Sequence, residues 1–246
     1  MDTMTLSPVW KKLLARQLQA NIEKLGPSES YVSLATVRLD GTPANRTVVF
    51  RGFAGEHHEH DLGWESDLLT ITCDQRSAKV KEIKKNPSYE VNWWMSGTQE
   101  QFRLHGHIHV YGDQHQIDRS LSSHVRNTKD ATKTPVQADW WEGERRRQWL
   151  ALGDGLRATF AQEAPGEPKI QEPDNQVRRL EIDNVDEQGR FCNKDAAKQA
   201  LLDKGYKNFV LLFLTVSRVD HLLLPTGERT LYEQQQDGWR TVPLTG

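Results

Sequence analysis

The period of the hydrophobic positions changes several times along the chain, and each change marks an element. Val9, Trp10, Leu13, Leu14, Leu18, Ile22 and Leu25 recur at helical spacing. With Ser7 as N-cap, Pro8 at the first helical position and Gly26-Pro27 as the stop, they predict a packing helix over residues 8–25. The period then falls to two. Tyr31–Leu39 reads as a strand, Asp40-Gly41 as a hairpin turn and Arg46–Phe53 as the returning strand. On the return, Arg46, Val48 and Phe50 face one way and Thr47, Val49 and Arg51 the other. Leu68, Leu69 and Ile71 give a third strand, and Ala78–Lys85 a helix that Asn86-Pro87 ends. Ser88–Met95 is a fourth strand, Ser96-Gly97 a turn, and Gln101–Tyr111 a fifth strand. In that strand Phe102, Leu104, Gly106, Ile108 and Val110 oppose Gln101, Arg103, His105, His107 and His109.

Beyond Gln114 the composition turns polar and helical. Asn127–Gln137 reads as a Lys/Thr-rich loop, and Trp140, Trp141, Trp149 and Leu150 mark a helix. Its run Arg145–Arg147, flanked by Glu142 and Glu144, reads as a solvated face rather than a nucleic-acid contact. Residues 164–173 and 183–190 look like loops, and 194–204 like a short helix. Asn208–Val216 is a buried strand, and Asp220–Leu224 with Gly227–Tyr232 looks like the closing hairpin of a barrel. About seven strands without a strand–helix rhythm predict a mainly β, α+β fold, an antiparallel barrel with peripheral helices. One domain over residues 1–246 is expected, with loop insertions at 127–137 and 183–204.

Composition narrows the partners. At 246 residues with 36% hydrophobic positions the chain can bury a real core, and a net charge of −2 offers no global field for nucleic acid or an anionic membrane. Anion binding must be local. No stretch has the apolar length to span a bilayer and no signal core opens the chain, so a cytoplasmic protein is expected. Cys73 and Cys192 lack the spacing of a disulfide framework or a structural zinc site.

Local anion chemistry concentrates between Gly41 and Lys79. Thr72, Arg76, Ser77 and Lys79 fall where an apolar strand ends and a helix begins, and a helix N-terminus offers unpaired N–H groups and positive potential to a phosphate. A surface helix merely capped by Ser77 would look much the same. His57, His58 and His60 occupy a polar loop, where solvation outweighs a metal role. The His105/His107/His109 run permits a metal-dependent barrel enzyme, but no Glu and distant His follow to complete such a site, and no metal is expected.

Taken together, Gly41–Arg51, Thr72–Pro87, Gln101–Gly106 and Glu228–Tyr232 resemble the pyridoxamine 5'-phosphate oxidase-like FMN-binding split-barrel proteins, in the branch with a T-D-x-R-S-x-K loop. The resemblance implies FMN as cofactor. Arg46 matches the family arginine near the flavin phosphate, and Thr47 and Val48 would line the isoalloxazine through backbone groups. Thr72, Ser77 and Lys79 match the phosphate grip, with Arg76 standing in for a cation that Ala78 lacks. Gln101 matches the glutamine that hydrogen-bonds the flavin, and Arg229 an arginine that reaches the flavin from a partner subunit, which implies a homodimer with shared sites. The departures lie on the substrate side. Arg51 replaces a lysine, Leu222 a tryptophan, and no R-x-H element precedes Glu228, so the chain is not matched to pyridoxamine 5'-phosphate oxidase proper. The expected activity is hydride chemistry at flavin N5 on an unidentified small substrate or a nicotinamide donor; the alternative is a flavin carrier or sensor without turnover.

Overall fold

The computed structural model describes residues 7–56, 63–130, 132–133, 138–168 and 177–246. In chain order the elements are α1 (Val9–Leu25), β1 (Tyr31–Val37), β2 (Pro43–Phe53), β3 (Trp64–Ser66), β4 (Leu69–Asp74), α2 (Ala78–Lys85), β5 (Ser88–Met95), β6 (Glu100–Tyr111) and β7 (Val125–Asn127). They continue with α3 (Ala138–Leu150), α4 (Asp154–Thr159), β8 (Asn184–Val185), β9 (Phe191–Cys192), α5 (Ala196–Asn208), β10 (Phe209–Leu223), β11 (Glu228–Gln235) and β12 (Gly238–Leu244).

Six antiparallel strands close into a barrel in the order β10-β4-β2-β1-β5-β6, because β10 pairs with β4 on one side and β6 on the other. The first half of β10 serves both neighbours. Past a bulge between Val216 and Arg218, β6 continues alongside, while the place of β4 is taken by β11 and then β12. The bulge shifts the alternation, so Val216 and Val219 both stay in the core while Arg218 faces solvent. Closure demands a glycine on β6. A Cβ at Gly106 would lie 1.9 Å from the Thr215 carbonyl oxygen.

Alternation fills the barrel. Leu34, Val91, Trp93, Phe102 and Leu104 are inaccessible to solvent, and α1 adds Trp10 and Leu14 to the same cluster. Asn21 of α1 donates to Thr98 Oγ1 and accepts from the Gly97 and Thr98 N–H groups, tying the helix to the β5–β6 turn. A second cluster covers the outside of β10, where Leu211 and Phe213 meet Tyr111, Trp141, Trp149, Phe191 and Leu202. No helix among the described residues is long and apolar enough to cross a membrane.

Several expectations are revised. Pro8 occupies the cap position rather than the first turn, its carbonyl accepting from the Lys11 and Lys12 N–H groups. The hairpin closes earlier than Leu39: Arg38 bonds Thr42 across the turn, and Gly41 supplies the positive φ of 87°. Residues 183–204 are not a loop insertion. They form the β8–β9 hairpin and most of α5, and they bury Phe191 and Leu202. The 127–137 stretch begins inside β7, which pairs with β3, while 131 and 134–137 fall outside the described residues, as do His57, His58, His60 and 169–173. Arg145 is no part of a solvated face. Its side chain is 1% exposed, and it donates to the Phe209 and Tyr206 carbonyls because α3 lies against the start of β10.

Candidate functional site

The site forms where β4 ends and α2 begins. Leu69, Ile71 and Cys73 point into the core, which leaves Thr72 and Asp74 on the other face. Asp74 builds the turn. Its carboxylate accepts from the Arg76 backbone N–H at 2.8 Å and pairs with the Arg76 guanidinium at 2.6 Å, and its carbonyl accepts from the Ser77 hydroxyl at 2.8 Å. Ser77 holds the N-cap position of α2, yet its hydroxyl caps nothing in the helix. The leading N–H groups of α2 therefore stay open to an external acceptor.

Lys79 stands beside that opening. Its Nζ lies 3.2 Å from Ser77 Oγ and 3.6 Å from Cys73 Sγ. Burial pushes the Cys73 thiol up and keeps it protonated, so both neighbours of the ammonium are neutral. On the adjoining face Arg51 donates through Nε to Thr72 Oγ1 at 3.3 Å. Burial lowers the Arg51 guanidinium from its ordinary value, as expected for a half-buried cation. Among the described residues neither Lys79 nor Arg51 has a carboxylate partner. Lys79, the Ser77 hydroxyl and an open helix end suit an anion such as the phosphate of a nucleotide cofactor, with Thr72 on the neighbouring face of β4 and Arg51 beside it.

The other expected residues divide. Arg46 sits on the inward face of β2, with Nη2 2.7 Å from Glu82 of α2 and Nη1 on Thr36; Glu82 also accepts from Thr36 at 2.6 Å. It braces α2 from below. Arg76 is committed to Asp74 and to the Phe160 and Gln162 carbonyls, away from the Lys79 cluster. Thr47 is exposed on the outer face of β2 and Val48 packs against the core.

Strand register puts Gln101 and Arg229 in the same row as Thr72 but progressively further round. Phe50 pairs with Ile71, which sets Val49 beside Thr72; Val49 pairs with Tyr31, the β1–β5 register brings Tyr31 to Trp94, and Trp94 pairs with Gln101. Gln101 then faces Leu222, and Leu222 faces Arg229. At the usual spacing of about 4.8 Å per strand, the path round the sheet from Thr72 is on the order of 19 Å to Gln101 and on the order of 29 Å to Arg229. The Arg229 guanidinium is held by Asp220 at 2.7 and 2.9 Å, which lowers the Asp220 carboxyl below its ordinary value. Between the two ends, Tyr31 and Trp94 are 54% and 45% exposed. His105 and His109 face outward with separate partners, Ser217 and Asp118, and no metal-holding group occurs among the described residues.

Sequence reasoning missed the place of Arg51 beside Thr72, which was available from alternation on β2 once the β2–β4 register was known. The Asp220–Arg229 pair had no local signal, since its partners meet only across a hairpin.

A family model described as pyridoxamine 5'-phosphate oxidase, FMN-binding domain, matches residues 7–112, from α1 through β6. Pyridoxine/pyridoxamine 5'-phosphate oxidase 2 of Arabidopsis thaliana is 32% identical over 233 residues, 93% of this chain and 90% of the relative. A solved pyridoxamine 5'-phosphate oxidase-related, FMN-binding protein of Nostoc punctiforme is 25% identical, with a TM-score of 0.65 over 97% of this chain and 98% of its own. PhzG of Burkholderia lata, solved with tetrahydrophenazine-1-carboxylic acid, shares the fold at 14% identity and a TM-score of 0.57, over 96% and 92% of the two chains. With a relative this similar over nearly its whole length, the chain belongs to the pyridoxamine 5'-phosphate oxidase-like family of FMN-binding split-barrel proteins, and FMN is its cofactor.

Proposed function

We propose that the protein is an FMN-dependent oxidoreductase whose flavin phosphate is held by Thr72, Ser77, Lys79 and the open N-terminus of α2, with Arg51 beside it. The observation that carries this is Lys79 at an uncapped helix end, with Arg51 on Thr72 and neither cation paired with a carboxylate among the described residues. Arg46 and Arg76 serve that grip indirectly, Arg46 by holding Glu82 of α2 and Arg76 by locking the turn through Asp74. Thr47 and Val48 offer β2 backbone along the ring.

Bound FMN supplies two-electron, hydride-accepting chemistry at its N5. Gln101 orients the ring by hydrogen bonding. An arginine at its pyrimidine end favours the reduced, negatively charged form. Arg229 is too far round its own barrel to serve the Thr72 end, so a homodimer is proposed in which a second copy brings Arg229 to the ring. The exposed Tyr31 and Trp94 suit that contact. Pocket walls on the substrate side come from Leu222 and from whatever the second copy places opposite.

Anaerobic mixing of FMN-loaded protein with NADH, NADPH or pyridoxamine 5'-phosphate tests the reading. Bleaching of the flavin bands by one of them at a turnover-competent rate is expected. Flavin that binds tightly yet is reduced by none of the three favours a carrier or sensor, a reading motivated by the missing R-x-H element before Glu228.

A further inference from the structure

Outside the barrel, α3, the β8–β9 hairpin and α5 line a cleft of about 250 Å³, which borders the β4–α2 loop where Gln75 donates to the Lys207 carbonyl. A cavity of roughly 150 Å³ already accepts benzene, so this one has room for a ring and a substituent. Phe191, Leu202 and Tyr206 give it apolar walls, and Arg146, Arg190 and Lys207 stand around them with Asp113 and Asp203. The acids are already answered. Asp203 pairs with Arg190 through both carboxylate oxygens, and Asp113 leans on the buried Arg145 at 3.4 Å.

Arg146 and Lys207 are left. Neither has a carboxylate partner among the described residues, and the Arg146 guanidinium lies half-buried over the Phe191 ring, 4.9 Å from its centroid. The hairpin turn is shaped around it. Gly189 takes a φ of 79°, and a Cβ there would lie 2.7 Å from Arg146 Nη2. A planar cation stacked on an aromatic floor, with a second cation on the rim and the cleft's two carboxylates already paired with other arginines, recognises a planar anion.

We propose that this cleft is a second binding site, for a flat ring bearing one anionic group, a phosphate or a carboxylate. The ring lies against Phe191 and Leu202, and the anion meets Arg146 and Lys207. Occupancy would relieve the half-buried, uncompensated Arg146 charge. The site shares no residue with the β4–α2 cluster.

Calorimetric titration of phenyl phosphate into protein kept saturated with FMN tests this directly. One saturable event is expected, weakened at least tenfold by Arg146→Ala and several-fold by Lys207→Ala, with inorganic phosphate binding at least tenfold more weakly than phenyl phosphate. Benzoate in place of phenyl phosphate separates a phosphate from a carboxylate preference. Binding that both substitutions leave unchanged would belong to another site and would overturn the proposal, as would no saturable binding by the unaltered protein. Lys207 is exposed, so Lys207→Ala keeps the test decisive if Arg146→Ala fails to fold.

Discussion

Two groups of cations stand around β4 and β10, and they are built in opposite ways. Beneath the helices, Arg145 and Arg157 are 1% and 4% exposed, and each has both carboxylate and carbonyl partners. Arg145 reaches Glu142, Asp113, Phe209 and Tyr206, and Arg157 reaches Asp154, Leu152 and Leu180. At the β4–α2 junction, the hydrogen bonds of Lys79 and Arg51 among the described residues go to hydroxyls and a thiol. A buried cation held by carboxylate and carbonyl acceptors is part of the scaffold, and removing it strands those acceptors. A cation that keeps unpaired N–H groups beside an open helix end is held ready for a ligand, at some cost to the empty protein.

That contrast can be broken by substitution. Arg145→Ala is expected to have the largest effect, a loss of about 3 kcal/mol in urea denaturation, because it orphans two carbonyls and empties a fully buried side-chain site. The folded fraction should bind FMN as before. Ser77→Ala combined with Lys79→Ala should do the reverse: stability within about 1 kcal/mol of the parent, and FMN affinity down about 10- to 100-fold from the loss of charge-assisted hydrogen bonds to phosphate. A stability loss as large as that of Arg145→Ala would place Lys79 in the scaffold instead.

Smaller effects sharpen the same line. Arg51→Gln should leave the flavin-free protein as stable as the parent or slightly more so, since burial disfavours the Arg51 charge, while weakening FMN several-fold in a fluorescence titration. The Asp220–Arg229 pair gives the smallest effect, visible only in acid. Its carboxyl is lowered in the folded state, mainly by the Arg229 hydrogen bonds, so the pair's contribution is complete above the ordinary Asp value near 4. It is lost as pH falls through the lowered value. Asp220→Asn should therefore flatten the decline of stability between about pH 4 and pH 2. An unchanged acid limb in urea titrations at those pH values would mean that the pair is solvated and weak.

Much of the barrel was legible because one face of each strand is buried. Ser88–Met95 matches β5 at both ends, and the faces read for Gln101–Tyr111 are those seen. Where that physics lapses, the sequence is silent. Ser217-Arg218 interrupts the alternation of β10 at the bulge, so a strand reaching Leu223 looked like two pieces. Gly238–Leu244 is proline-bearing and has no fully buried position, only Trp239 partly packed against the core, so β12 gave no alternating signal. Arg145 was misread because charge spacing along a helix does not report the carbonyls that another element will present to it. At the β4–α2 junction, the nearness of Ser77 to Lys79 was legible from the strand-to-helix boundary, whereas the Glu82 and Asp74 partners of Arg46 and Arg76 were not.

The central claim, that the flavin phosphate rests on the β4–α2 junction, is tested most directly by comparing FMN with riboflavin, which differs only in lacking the phosphate. Fluorescence titrations of the parent protein should show a strong preference for FMN. In the Ser77→Ala, Lys79→Ala double variant that preference should collapse toward equality, with riboflavin affinity nearly unchanged. A double variant that still prefers FMN as strongly as the parent would place the phosphate elsewhere and contradict the account.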